Sequence, residues 1–150
     1  MQYQSFSPRQ NATLFWWTKP EHQNRDGLIC DGSIRSGKTV SMAIGFIMWS
    51  MASFDKQNFA ICGRTIEALR RNVIVHIPTW LEGMFEVTER RSENKMVVTI
   101  GNRSNTYYLF GGRDESSYTL IQGITLAGVL FDEVALLRRA GYGALLGLWV

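Results

Sequence analysis

One segment of eight residues limits what this chain can fold into more than any other feature of its sequence. Residues 32–39 have the sequence GSIRSGKT and fit the pattern G-x-x-x-x-G-K-[ST]. A loop of this kind binds phosphate through converging backbone N–H groups, so it needs glycine where a Cβ atom would clash. The segment follows the apolar run 27–31 and precedes the apolar stretch 38–53. This order predicts a buried strand, a phosphate-binding loop, and a helix whose positive end faces the bound anion.

The residue types in this candidate phosphate loop (residues 32–39) predict the role of each part. Lys38 would place its ammonium group on the β- and γ-phosphate oxygens, and the Thr39 hydroxyl would be a hard oxygen ligand for Mg²⁺. We therefore predict ATP and Mg²⁺ as cofactors. The predicted nucleotide-binding residues of the loop are Gly32, Ser33, Ile34, Arg35, Ser36, Gly37, Lys38 and Thr39.

An acidic pair follows another apolar run, residues 128–131, near the end of the chain. Asp132 and Glu133 have the arrangement of the Walker B element of P-loop ATPases, and parallel α/β sheets place ligands at the carboxyl ends of their strands. Asp132 is predicted to hold the magnesium ion through water. Glu133 is predicted to polarise the attacking water as a general base. Together with the loop, the pair predicts ATP hydrolysis.

The remaining pattern predicts an α/β domain with a mostly parallel sheet flanked by helices. Ser7 and Pro8 are typical of a helix start, and Pro78 is expected to end or kink a later helix. Two runs joined by the sequence GNRSN predict a β-hairpin, interpreted as an insertion. The predicted strands are residues 27–31, 58–63, 96–100, 106–110 and 128–132, and the predicted helices are residues 7–19, 38–53 and 65–77.

Composition limits the functional classes only weakly. The chain of 150 residues is 45% hydrophobic and 19% charged, which indicates a globular protein. A net charge of +3 is weak support for a polyanionic partner, and the scattered basic pairs 70–71, 90–91 and 138–139 are interpreted as solvated surface. The two cysteines lack metal-ligand spacing. The polar N-terminus and the shortness of the apolar stretch 40–54 predict a soluble, cytoplasmic protein without a membrane span.

Four segments of the sequence resemble the large subunit of tailed-phage DNA-packaging terminases, over about residues 7–137. They are SPRQ, DGSIRSGKTVSMA, ICGRTIEALRRNV and YYLFGGRDESSYTLIQGITLAGVLFDEVAL. The resemblance implies a RecA-like P-loop ATPase domain that drives double-stranded DNA into a procapsid in the cytoplasm of a bacterial host. The implied partners are the terminase small subunit, the portal and further copies of the chain in a ring.

The resemblance also implies roles for single residues. Gln10 would read the adenine base, and Arg35, inside the loop, would stabilise charge that develops on the γ-phosphate. Arg64 would face nucleotide or DNA. The family also has a C-terminal nuclease domain, which we do not find, and the tail 138–150 resembles a truncated or aberrant end. We therefore expect a partial ATPase domain over residues 1–137 and a sheet that lacks at least one strand.

Two other functions stay open at this point. One is a chain that binds nucleotide or DNA without turnover, because a coupling strand is missing. The other is a different RecA-like nucleic-acid ATPase such as a helicase, although helicase motifs beyond the two Walker elements are not found in the sequence.

Overall fold

The computed structural model describes residues 5–30, 37–113 and 122–132. Four α-helices and five strands order these residues, with short 3-10 turns between them. The helices are α1 (Pro8–Leu14), α2 (Lys38–Ser53), α3 (Ile66–Asn72) and α4 (Ile77–Trp80). The strands are β1 (Asn58–Gly63), β2 (Glu86–Arg90), β3 (Lys95–Ile100), β4 (Arg103–Gly111) and β5 (Gly128–Phe131).

The five strands form one mixed sheet in the order β2-β3-β4-β1-β5. Strand β1 pairs in parallel with β4 and β5, whereas β2, β3 and β4 pair antiparallel. The predicted hairpin is confirmed as β3 and β4, but it is not an insertion, because β4 lies in the middle of the sheet beside β1. The prediction of a mostly parallel sheet is therefore wrong for the described strands: the hairpin adds antiparallel strands to the same sheet.

The predicted strand at residues 27–31 is also wrong over residues 27–30, the part that the structure describes. These residues form no strand, and Ile29 is 94% exposed. An apolar run indicates a tendency to be buried, but a strand also needs a neighbour for its backbone N–H and C=O groups. No described strand pairs with this segment.

The three predicted helices are confirmed in place, but two of them differ in length from the prediction. Helix α2 has the predicted bounds. Helix α1 starts at Pro8 with Ser7 as its N-cap but ends at Leu14, before a 3-10 turn. The predicted helix 65–77 stops at Asn72. The chain then passes through a 3-10 turn into α4, which carries Pro78 in its first turn, where the missing N–H costs nothing.

The main core lies on one face of the sheet, under α2, α3 and α4. Because side chains alternate along a strand, Phe59 and Ile61 of β1 enter this core while Ala60 and Cys62 enter a smaller cluster on the other face. Strand β1 is thus buried on both faces, which suits a central strand. In the described residues, no helix combines the length and the apolar character that crossing a bilayer requires.

Helix α1 packs on α2 at a close approach of the two backbones. A Cβ atom added at Gly45 of α2 would lie 2.8 Å from the carbonyl oxygen of Thr13 and 3.2 Å from the Cα of Leu14. Neither atom belongs to a flexible side-chain end, so the two helices would have to separate. The glycine therefore sets how closely α1 approaches α2.

We expect Gly45→Ala to lower the free energy of unfolding by about 1–2 kcal/mol, since overpacking outweighs the gain in helix propensity. Urea denaturation measures the change. Gly27→Ala is the matched control, because a Cβ atom at Gly27 meets nothing within 4 Å, and its effect should stay within about 0.5 kcal/mol. Equal stability of the two variants would show that the close approach carries no energetic weight.

The C-terminal end of α2 is held by side chains of β4. The last carbonyl groups of a helix lack partners within the helix. Asn105 donates hydrogen bonds to the carbonyl oxygens of Ser50 and Phe54 at 3.2 and 3.0 Å. Arg103 donates to the carbonyl oxygens of Met51 and Ala52 at 2.9 and 2.8 Å. Helix α2 is therefore anchored to the sheet at the end opposite to Lys38.

Candidate nucleotide site

The candidate site lies at the edge of the sheet where β1, β4 and β5 end. Because these strands are parallel, their carboxyl ends meet there. Two backbone hydrogen bonds continue the ladders beyond the strands, from the N–H of Asp132 to the carbonyl oxygen of Cys62 at 2.8 Å and from the N–H of Gly112 to that of Gly63 at 2.9 Å. The backbone of Asp132 is therefore fixed to the central strand although it lies one residue past β5.

The first turn of α2 meets the end of β5 at the same edge. The Thr39 hydroxyl donates a hydrogen bond to Oδ1 of Asp132 at 3.1 Å, across 93 residues of sequence. Both side chains are half-buried. The structure thus brings together the hydroxyl and the carboxylate that the sequence predicts as magnesium ligands.

This pair of oxygens suits a magnesium ion. Mg²⁺ binds oxygen ligands and usually keeps several of its waters. The Thr39 hydroxyl oxygen would bind the ion while its proton is donated to Asp132 at 3.1 Å, and Asp132 would hold the ion through one of those waters. Mg²⁺ also favours sites with one or two carboxylates that leave positions for water and phosphate oxygens. The two residues therefore fit the ion that the sequence predicts.

Gly37 and Lys38 form the junction between the loop and α2. Gly37 is the N-cap of α2 and has φ +74°, a left-handed conformation that favours glycine. Lys38 is the first residue of the helix and is half-buried. No side chain of the described residues caps α2, and no acidic residue lies in its first turn. The helix N-terminus is thus compatible with a bound anion.

The Gln10 side chain lies against this junction. A Cβ atom added at Gly37 would lie 2.3 Å from Nε2 of Gln10. The other end of the amide is used within α1, since Oε1 accepts a hydrogen bond from the N–H of Ser7 at 2.8 Å. The Ser7 hydroxyl in turn accepts from the N–H of Gln10 at 3.3 Å, which completes a capping box. The pattern S-x-x-Q at residues 7–10 is the signal in the sequence from which this arrangement could have been predicted.

Several predicted site residues lie outside the described ranges. These are Gly32, Ser33, Ile34, Arg35, Ser36 and Glu133. Arg64 is described and exposed, directly after β1 at the carboxyl edge. Another exposed arginine, Arg113, follows β4, and its N–H donates to the carbonyl oxygen of Arg64 at 3.2 Å. No motif in the sequence marks Arg113 as a site residue.

The thiol of Cys62 and the guanidinium group of Arg70 have structural roles in the fold. Burial raises the pKa of the Cys62 thiol to about 12, which makes this thiol a poor nucleophile at neutral pH. Arg70 bonds Oε1 of Glu89 at 2.6 Å and Oδ1 of Asn94 at 3.1 Å, and its side chain is only 15% exposed. The interpretation of the pair 70–71 as solvated surface is therefore wrong for Arg70, which ties α3 to the β2–β3 hairpin.

Nearly the whole of this chain is similar to solved structures of one phage protein. The large terminase from a thermophilic bacteriophage matches with a TM-score of 0.92 and 46% identity over 97% of this chain and 36% of that chain. The same protein in complex with ATP-gamma-S matches with a TM-score of 0.86 and 42% identity over 96% of this chain and 35% of that chain. This chain belongs to the phage large terminases.

The match covers only part of the phage protein. The chain spans about a third of the length of that large terminase, 36% in the first comparison. The ATPase domain of a second large terminase, from Thermus phage P74-26, shares the fold, with a TM-score of 0.56 and 16% identity over 76% of this chain and 51% of that chain. No protein-family model matches the terminase chain, and no curated protein does.

Proposed function

We propose that this terminase chain binds ATP and Mg²⁺ at the carboxyl edge of its sheet and hydrolyses ATP as part of a DNA-packaging motor. One observation carries the proposal: the Thr39 hydroxyl and the Asp132 carboxylate, predicted independently as magnesium ligands, lie 3.1 Å apart. The 42–44% identical large terminase supports nucleotide binding, since two of its structures are complexes with ADP and with ATP-gamma-S. In this proposal the domain is a RecA-like P-loop ATPase.

Each site residue has a role that its chemistry allows. Backbone N–H groups of residues 32–39 hold the phosphates, and Lys38 neutralises charge on the β- and γ-phosphate oxygens. Thr39 would hold Mg²⁺ as an oxygen ligand and Asp132 would hold it through water, and the ion would supply positive charge against the phosphates. Glu133, the residue after Asp132, orients and deprotonates the attacking water. Arg35 stabilises charge on the γ-phosphate during transfer.

The partners follow from the family. We propose double-stranded DNA as the polymer that the intact protein moves, with the small subunit and the portal as protein partners. Phosphate-rich DNA agrees with the net charge of +3. We further propose that copies of the chain act as a ring in the cytoplasm of the bacterial host, and that residues 1–137 are the part that belongs to the motor domain.

A second candidate function is nucleotide binding without turnover. Residues 27–30, which lead into the loop, lack a strand partner in the described sheet, which favours this interpretation for the isolated chain. A single-turnover assay separates the two functions. Hydrolysis that Glu133→Gln abolishes, while ATP binding persists, supports the motor; wild-type binding without hydrolysis supports the second candidate.

We expect Lys38→Ala to weaken binding of Mg²⁺·ATP-gamma-S by roughly 10- to 100-fold, the equivalent of the 1.5–3 kcal/mol of a charge-assisted hydrogen bond. Isothermal titration calorimetry measures the dissociation constant. Lys19→Ala is the matched control, because Lys19 is exposed and follows the 3-10 turn after α1. An affinity for Mg²⁺·ATP-gamma-S that Lys38→Ala leaves unchanged would rule out the proposed site.

A further inference from the structure

Two basic pairs that are separate in the sequence meet at one corner of the fold. Arg70, in the last turn of α3, donates hydrogen bonds to the carbonyl oxygen of Arg91 at 3.4 Å and to Oδ1 of Asn94 at 3.1 Å. Arg91 directly follows β2, so the pair 70–71 adjoins the pair 90–91. We call residues 70–72 and 90–95 the arginine corner.

The arginine corner is strongly basic. It contains five basic residues and a single acidic one, Glu93. When Glu89 is included, which bonds Arg70 at 2.6 Å, the net charge is +3, as large as that of the whole chain. The rest of the chain is therefore neutral overall, and the net positive charge of the protein is concentrated at this corner.

Three arginines of the corner keep their guanidinium groups exposed. The two acidic side chains are already engaged, Glu89 with Arg70 and Glu93 with Lys95. Glu67, one turn earlier on α3, forms no ion pair within the described part of the chain. Among the same described residues, no ion pair or hydrogen bond engages the guanidinium groups of Arg71, Arg90 and Arg91. Their positive charge is thus available to an anionic partner.

The composition of the corner favours a phosphate backbone over a protein surface. Its exposed residues are all charged or polar, and none of the exposed large apolar side chains of the described residues lies in it. Protein interfaces centre on buried aromatic or apolar anchors. DNA interfaces are more polar and much more positive, and their phosphate contacts come from side chains such as arginine, serine and asparagine. Asn72 and Ser92 supply such polar groups beside the arginines.

We propose that the arginine corner binds the phosphate backbone of double-stranded DNA through Arg71, Arg90 and Arg91. The inference rests on the proposed function, which supplies DNA as the polymer, and it adds a surface that holds the duplex. Phosphate contacts carry no base information, so binding is independent of DNA sequence, as movement along a duplex requires. The bonds of Arg70 to the Arg91 carbonyl oxygen and to Asn94 join the two halves of the corner. Helix α3 and the β2–β3 hairpin therefore bind DNA as one surface.

The test compares two double variants that remove the same charge. Arg71→Ala/Arg91→Ala changes the corner but keeps the bond to Arg70, because Arg91 accepts it through its backbone carbonyl oxygen. Lys19→Ala/Arg25→Ala is the matched control, since both residues are exposed and lie outside the corner. Fluorescence anisotropy measures the affinity of each full chain for a labelled duplex of about 30 base pairs at about 50–200 mM salt. Thermal unfolding of each variant shows that it is folded.

The salt dependence of DNA binding reports the number of phosphate contacts. Each lost contact lowers the slope of log K against log salt by about 0.9. We expect Arg71→Ala/Arg91→Ala to lower the slope by about 1.8 and to weaken binding roughly tenfold at about 50 mM salt, for duplexes of unrelated sequence alike. The control should keep the wild-type slope. Arg71→Lys/Arg91→Lys should keep most of it, because lysine still neutralises a phosphate.

An unchanged slope in the corner variant overturns the inference, and so do equal losses in the corner and control variants. A wild-type chain that binds no duplex at about 50 mM salt overturns it as well. If the corner variant loses self-association in sedimentation while its DNA affinity stays intact, the corner is a protein contact instead. Failure of the proposed function is seen separately, because binding of Mg²⁺·ATP-gamma-S would then not depend on Lys38, whatever the corner does to the salt slope.

Discussion

Asp132→Asn is expected to remove most of the magnesium dependence of ATP binding by this chain. The wild type should bind ATP-gamma-S about 100-fold more tightly with Mg²⁺ than with EDTA, and the variant should show about the same affinity in both, since a charged ligand of the ion is lost. The amide of asparagine still accepts the hydrogen bond from Thr39, which measures 3.1 Å in the wild type. The change therefore tests the charge of the carboxylate rather than the contact itself.

A double-mutant cycle with Thr39→Val sharpens this test. If both oxygens act on one ion, the two losses should not add, and the coupling energy should lie in the range of about 0.5–3 kcal/mol. Asp26→Asn serves as the control, because Asp26 is an exposed carboxylate outside every helix and strand. Additive losses, or a magnesium dependence that survives Asp132→Asn, would contradict a shared ion.

The contact between Thr39 and Asp132 could be predicted from the sequence. Their meeting across 93 residues follows from two motifs and a rule of topology, since parallel strands present their carboxyl ends at one edge. The bounds of α2 could be predicted equally well, because Gly37 precedes it and residues 38–53 have the length and composition of a helix. Local chemistry and the order of the motifs were sufficient to predict both the contact between Thr39 and Asp132 and the bounds of α2.

Which strands pair with each other could not be predicted from the sequence in the same way. Strand β2 was missed because its residues, EVTER, are mostly exposed and carry no apolar alternation. Residues 27–30 show the opposite error, since an apolar run predicted a strand that has no neighbour in the described sheet. Whether a strand lies at the edge, and which strand it pairs with, depends on the whole sheet. A short segment of sequence therefore does not reveal either.

The placement of Gln10 lies between these extremes. The capping box that fixes its amide is visible in the sequence as Ser7 followed three residues later by glutamine. Its contact with Gly37 is not visible, because it depends on how closely α1 approaches α2 at Gly45. The family resemblance alone therefore does not locate the Gln10 side chain, because its position depends on how α1 packs on α2.

Asn105→Ala is expected to lower the free energy of unfolding by about 3–5 kcal/mol, a large share of the roughly 5–15 kcal/mol of a typical domain. Asn105 is 1% exposed. Its side chain accepts from the N–H of Gln57 at 3.0 Å and donates to the carbonyl oxygens of Ser50 and Phe54 at 3.2 and 3.0 Å. Truncation removes these bonds, but the Ser50 carbonyl keeps the N–H of Phe54 at 3.0 Å. The Phe54 carbonyl and the Gln57 N–H each lose a partner, at about 1–3 kcal/mol each where water cannot reach them.

Two neighbours provide graded controls in the same urea denaturation series. Tyr107→Phe removes the 2.5 Å bond between the Tyr107 and Ser50 hydroxyls, but Ser50 keeps its bond to the carbonyl oxygen of Ile47 at 3.0 Å. This variant should cost about 1 kcal/mol. Arg103→Ala removes an exposed side chain whose carbonyl partners at the end of α2 can turn to water, and it should cost less than about 1 kcal/mol.

The anchor at Asn105 and the site at Lys38 lie at opposite ends of α2. The helix has 16 residues and is about 24 Å long, so Asn105 lies far from Lys38 and Thr39 at its other end. At a urea concentration where both proteins are folded, Asn105→Ala should therefore bind Mg²⁺·ATP-gamma-S with wild-type affinity while its unfolding midpoint falls. An affinity reduced as far as in Lys38→Ala would show instead that the anchor at the far end of α2 sets the geometry of the phosphate loop.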